Sequence, residues 1–206
     1  MNGRTKIVMG LAAVGFAYWC LGFFTSTDIA NTPPRSGPIV AFGDSLTEGV
    51  GAPSGRAYPD QLSALIDRPI VNRGIRGETV GDALRRFDRD VLDLTPSIVL
   101  ICLGGNDLLQ RKNVDATFRD LESIVSRSSA GGAMVVLIGV EGLPLLSADF
   151  GERYEEIAER YGCIYVEDIL DGIVGRGKLT ADEIHPNADG YAIVAERIAK
   201  KLKPYL

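Results

Sequence analysis

From residue 39 to the end of the chain, short apolar runs alternate with amphipathic stretches. Residues 39–42, 70–72, 98–103, 134–140 and 163–166 are uncharged and mostly apolar, and several are β-branched, as buried parallel strands are. Between them, residues 58–66, 80–92, 117–126 and 152–161 read as helices, and 188–202 predicts a last one. Leu62, Leu65 and Ile66 share one helical face, as do Phe118, Leu121, Ile124 and Val125. Strand-helix alternation of this kind predicts right-handed crossovers and a parallel sheet of five strands, covered by helices on both faces. The fold class is α/β.

The first 38 residues break this pattern. Residues 7–24 carry no charge and follow Arg4 and Lys6. A run of about eighteen such residues is a transmembrane candidate at the short end of the range, and the flanking positive charge keeps its N-terminus cytoplasmic. Tyr18 and Trp19 then fall near the far interface. A cleaved signal peptide is the rival reading, although Thr25-Ser26-Thr27 is a poor cleavage site. Cys20 raises lipidation, but bulky Tyr18 and Trp19 precede it where small residues are expected. Anchor and signal peptide both export the rest of the chain, to the periplasm or cell envelope. Residues 25–38, with Pro33-Pro34 and Ser36-Gly37-Pro38, read as a linker. The expected division is 1–24 anchor or signal, 25–38 linker and 39–206 folded domain.

Length and composition narrow the partners. A chain of 206 residues that is 46% hydrophobic holds one domain with a substantial core. Its net charge of −5 argues against nucleic acid. With a single histidine and scattered cysteines, no zinc-type ligand set can be assembled, so neither metal nor cofactor is expected. No phosphate-cradling glycine loop occurs. Cys102 and Cys163 lie in apolar runs and read as buried thiols. Arg85, Arg86 and Arg89 read as a solvated helix face.

The candidate chemistry begins at the end of the first apolar run. Ser45, in Gly43-Asp44-Ser45-Leu46, sits just past a strand's C-terminal end, where open α/β sheets put their ligand crevice. It is either a nucleophile or an ordinary helix cap. A serine hydroxyl needs a base, and His185 is the one imidazole. Asp182, three residues earlier, can meet one ring nitrogen on a single turn while the other faces outward, and Pro186 stiffens the backbone after it. Glu183 is the rival acid. Gly77 is either a turn glycine or an exposed N–H donor, and Asn106, after Gly104-Gly105, either caps its loop or offers its amide. Asn72 competes for that role. Asp44 and Asp107 adjoin glycine turns and read as acceptors for loop N–H groups. Leu143, Leu145 and Leu146, in the segment after the fourth strand, suit an acyl chain or aryl group and equally suit core.

Taken together, Gly43-Asp44-Ser45-Leu46, Gly77, Gly104-Gly105-Asn106-Asp107 and Asp182-x-x-His185-Pro186 resemble the four sequence blocks of the SGNH (GDSL) hydrolases, in the same order. Among these the chain is most similar to the bacterial arylesterase, acyl-CoA thioesterase I and lysophospholipase type. The resemblance implies a three-layer α/β/α, flavodoxin-like domain. It also implies a Ser45, Asp182, His185 triad and an oxyanion hole made by the N–H groups of Ser45 and Gly77 and the side chain of Asn106. The expected activity is hydrolysis of carboxylic esters, or thioesters, of acyl, aryl or lysophospholipid type through an acyl-enzyme. Carbohydrate O-deacetylation is an alternative, as is an inactive envelope module that binds acyl or glycan groups. Membrane tethering would favour lipid-derived or hydrophobic esters.

Overall fold

The computed structural model describes residues 28–140 and 149–206. Five parallel strands form one sheet: β1 (Ile39–Gly43), β2 (Ile70–Gly74), β3 (Ile98–Cys102), β4 (Met134–Ile138) and β5 (Ile164–Val166). Their order is β2-β1-β3-β4-β5, with Gly43 in register with both Gly74 and Cys102. The seven described α-helices are α1 (Ser45–Glu48), α2 (Tyr58–Ile66), α3 (Val80–Asp90), α4 (Gly105–Leu109), α5 (Val114–Ala130), α6 (Asp149–Tyr161) and α7 (Ala188–Leu202).

Successive strand residues point to opposite faces, so alternate positions feed two separate cores. Ile39, Ala41, Leu100 and Val136 pack with Leu62 of α2 and Val194 and Ile198 of α7. Val40, Phe42, Val99, Ile101 and Leu137 pack with Phe87 of α3, Leu121 and Ile124 of α5 and Ile157 of α6. That division makes the three layers predicted above. Every residue of β1, β3 and β4 is buried, which accounts for their unbroken apolar runs. The edge strand β2 is only half-buried and tolerates Asn72 and Arg73.

Capping chemistry sets several boundaries that periodicity missed. Asn113 accepts the N–H of Ala116 and starts α5 three residues before its apolar stripe begins. The helix α3 ends at Asp90 and continues as a 3-10 turn over Leu92–Leu94, because Val91 leaves helical geometry. Two helices of four and five residues, α1 and α4, were too short for any periodic signal.

Arg86 corrects the expectation of a solvated arginine face. Arg85 and Arg89 have side chains 73% and 75% exposed, whereas that of Arg86 is 8% exposed. It lies on the inward face of α3 and stacks over the Phe42 ring at 4.5 Å. Its guanidinium pairs with Glu78 and Asp90 and donates to the carbonyls of Gly43 and Arg73, where β1 and β2 end.

The proposed anchor or signal, residues 1–24, lies outside the described residues. Residues 28–38, within the stretch read as a linker, are fastened to the domain. Ala30 N–H donates to Gly162 O at 2.9 Å, and the Asn31 amide donates to Ser129 O and Ala133 O, both at 2.9 Å. Arg35 donates to Pro96 O, Ser97 donates to Gly37 O, and Ile29 packs on the core. Composition could not reveal these bonds, since most accept on backbone carbonyls.

Candidate active site

The turn after β1 carries Ser45 as the first residue of α1. Asp44 caps that helix, its Oδ1 accepting the Leu46 N–H at 3.0 Å. The helix folds flat across the ends of β1 and β2, which only glycine permits. A Cβ on Gly43 would meet Thr47 Oγ1 at 2.1 Å, and one on Gly74 would meet Glu48 N at 2.1 Å. The Asn72 amide donates to Thr47 O and its Oδ1 accepts the Gly74 N–H, so Asn72 is spent on fastening α1 to β2.

His185 arrives from the other end of the chain, in the segment between β5 and α7. Its Nε2 lies 3.0 Å from Ser45 Oγ, and its Nδ1 lies 2.8 Å from Asp182 Oδ2. A carboxylate at Nδ1 favours the tautomer protonated there, which leaves Nε2 to accept the Ser45 hydroxyl proton. Asp182 Oδ1 meanwhile accepts the N–H groups of Ile184 and His185, at 2.9 and 2.7 Å. These bonds, that of His185 foremost, hold the Asp182 carboxyl down to about 2, so it stays ionised. Asp182 both orients the imidazole and closes the turn that presents it. Glu183 is exposed.

The turn is braced from outside. Thr180 bridges to Pro186, and Ala181 N–H donates to His185 O at 2.9 Å. Gly51, at φ +95°, packs against it. A Cβ there would stand 2.6 Å from Pro186 O and 3.2 Å from His185 Cβ. Tyr191 of α7 donates to Val50 O at 2.8 Å and pins the same loop.

Gly77 and Asn106 reach the same edge from the ends of β2 and β3. Gly77 is exposed and adopts φ +79°, a region that favours glycine, and a Cβ there would meet nothing within 4 Å. Its requirement for glycine is therefore conformational rather than steric. The preceding Arg76 N–H donates to Glu48 Oε2 at 2.5 Å. Asn106 spends both amide protons, on Asp44 Oδ2 at 3.1 Å and Glu78 O at 3.0 Å. It spans the gap between the cap of the serine helix and the Gly77 turn. Asp44 is buried, and desolvation above all pushes its carboxyl up to about 7, against the pull of the Leu46 N–H. Asp107 accepts the Val80 N–H at the start of α3 and the Thr117 hydroxyl of α5, so it is an acceptor as expected but for neighbouring helices rather than for its own loop. Leu143, Leu145 and Leu146 lie outside the described residues.

Sequence reasoning missed the Asp44 to Asn106 bond, the Gly51 contact and the buried Arg86. Only Arg86 left a signal, in its i,i+4 spacing to Asp90 and its place beside Phe87.

Known proteins resemble this chain over most of its length. Esterase TesA of Pseudomonas aeruginosa is 29% identical over 182 residues, covering 82% of this chain and 89% of TesA. Thioesterase 1/protease 1/lysophospholipase L1 of Escherichia coli is 26% identical, covering 90% and 93%. The crystal structure of the esterase EstA from Pseudoalteromonas, inhibited by monoethylphosphonate, superposes with a TM-score of 0.74 at 26% identity, over 82% of this chain and 98% of EstA. The family model of the GDSL-like lipases and acylhydrolases matches residues 41–193, a span that starts inside β1, ends inside α7 and takes in Ser45, Asn106, Asp182 and His185. The chain belongs to the GDSL-like lipase/acylhydrolase family.

Proposed function

We propose that the protein is an exported serine esterase that cleaves carboxylic esters of acyl, aryl or lysophospholipid type through an acyl-enzyme. The observation that carries this reading is the unbroken relay from Asp182 to His185 to Ser45, at 2.8 and 3.0 Å. Ser45 Oγ attacks the acyl carbonyl as His185 Nε2 takes its proton. The oxyanion is met by the N–H groups of Ser45 and Gly77 and by Asn106, which must share a proton now held by Asp44 or Glu78. His185 then protonates the leaving alcohol. Water, deprotonated by the same imidazole, attacks the acyl-serine and releases the acid.

Exposed apolar side chains close in sequence to the donors are compatible with an acyl or aryl group. Ile75, two residues before Gly77, is 42% exposed, and Leu109, three after Asn106, is 41% exposed.

A fluorophosphonate probe tests the reading directly. The protein should take up one label and hydrolyse p-nitrophenyl butyrate, and Ser45→Ala should lose both. Unchanged turnover in Ser45→Ala would remove the nucleophile assignment. An inert, unlabelled parent protein would favour a binding module instead. A panel of p-nitrophenyl esters, acetylated sugars and lysophospholipids would then rank the substrate classes.

A further inference from the structure

We infer that, in the membrane-anchored form, the catalytic lip faces away from the bilayer that holds the anchor, so its substrates are esters presented from the aqueous side. The inference rests on reading residues 7–24 as an anchor and deepens the proposed function by naming how substrate arrives. It narrows the expectation that tethering favours lipid-derived or hydrophobic esters, by excluding those held in the anchoring bilayer.

The sheet is wholly parallel, so its two ends differ in kind. Ser45, Gly77, Asn106 and His185 all follow strands and lie at the C-terminal end. Every fastening of residues 28–38 is at the other end. Gly162 and its partner Ala30 lie just before β5, Ser129 and Ala133 just before β4, Pro96 and Ser97 just before β3, and Pro38 just before β1. Among the described residues contact is already made at Asp28, whose carbonyl oxygen would stand 2.8 Å from a Cβ on Gly162. The chain therefore enters at the pole opposite the site.

Too little chain remains to undo that geometry. Only residues 25–27 separate the apolar run from Asp28. Even fully extended, they and the peptide links on either side reach about 14 Å. A domain of this size is about 40 Å across. Turning the lip toward the bilayer would require chain to pass around the whole domain, and releasing it would break the Ala30, Asn31 and Arg35 bonds together with the packing of Ile29.

The test uses the full chain in phospholipid vesicles, with p-nitrophenyl butyrate as the dispersed ester and a fluorogenic acyl-ester phospholipid in the same bilayer. A second protein carries 30 Gly/Ser residues inserted between Thr27 and Asp28. Such a linker has a root-mean-square span of about 30 Å and a much longer full reach, enough for the domain to invert. Both proteins should turn over the dispersed ester equally. The ratio of bilayer to dispersed turnover should rise about tenfold or more in the lengthened protein, as the lip gains local access to the surface. Equal ratios, at whatever level, would overturn the inference. So would failure of the parent chain to float with the vesicles. Loss of dispersed-ester turnover in both would instead strike the hydrolase reading.

Discussion

The carboxylate of Asp44 accepts an amide proton of Asn106 at 3.1 Å, joining the cap of the helix that carries Ser45 to the residue that spans the site. An asparagine at position 44 could still accept the Leu46 N–H, but its own NH₂ would then oppose that of Asn106. Asp44→Asn should therefore fold normally and lose about tenfold to a thousandfold in kcat, with KM nearly unchanged, as expected for disturbing a transition-state donor. Steady-state kinetics on p-nitrophenyl butyrate would decide, and a loss confined to KM would contradict the assignment.

The same substitution should alter how stability depends on pH. The Asp44 carboxyl is raised from 3.8 to about 7 by burial. A raised carboxyl binds its proton more tightly in the native state than in the unfolded chain, so its contribution is largest below 3.8 and is lost as pH climbs to about 7. In urea unfolding, Asp44→Asn should become more stable relative to the parent across that window, by on the order of a few kcal/mol, and gain nothing further above it. A pH-independent difference would show that Asp44 is not burdened in this way.

Asp182 has two duties, and substitution should separate them. Asp182→Asn can keep an acceptor for the N–H groups of Ile184 and His185, yet it no longer favours the Nδ1-protonated imidazole. Turnover should fall by roughly a hundredfold to ten-thousandfold. Asp182→Ala should lose at least as much and also loosen the turn, seen as faster amide exchange at residues 184 and 185. Equal protection in the two variants would argue that the turn is held without the carboxylate.

Gly51→Ala tests how closely the base is braced. The added methyl meets Pro186 O and His185 Cβ and strains a left-handed backbone. A displacement of about 1 Å at the imidazole can cost about a hundredfold in rate. Gly55→Ala, in the same loop and also at positive φ but with nothing within 4 Å, serves as the control and should carry only the backbone penalty. Similar activities in the two variants would dismiss the contact.

Arg86 should matter to the fold more than its neighbours do. Removing it strands Glu78 and leaves the Gly43 and Arg73 carbonyls without that donor, so Arg86→Ala should cost about 3–5 kcal/mol in chemical denaturation. Arg89→Ala, at an exposed pair, should change stability by less than about 1 kcal/mol. Equal losses would return Arg86 to the solvated face first expected of it.

Most of the scaffold was legible because its signals are local. Buried parallel strands leave unbroken apolar runs, and α2 and α7 begin and end where the apolar pattern does. The meeting of Ser45, Asp182 and His185 was also legible, since a hydroxyl, one imidazole and a carboxylate three residues from it form a sparse set. What escaped depends on contacts between distant segments. The helix α1 is too short for periodicity, Arg86 is buried by strand ends 13 and 43 residues away, and Asn31 bonds carbonyls 98 and 102 residues away. No window along the chain contains those partners. The role of Gly51 is likewise set by a turn that begins 130 residues later.

The site draws on the two extremes of the domain, with Ser45 near its beginning and His185 close to its end, at residue 185 of 206. During biosynthesis the serine is thus made early but gains its imidazole partner only when the last segment has been produced and α7 has docked against α2. A nascent or truncated chain that stops short of residue 185 leaves Ser45 without that partner, so on the proposed reading hydrolytic activity would report that the whole domain has closed.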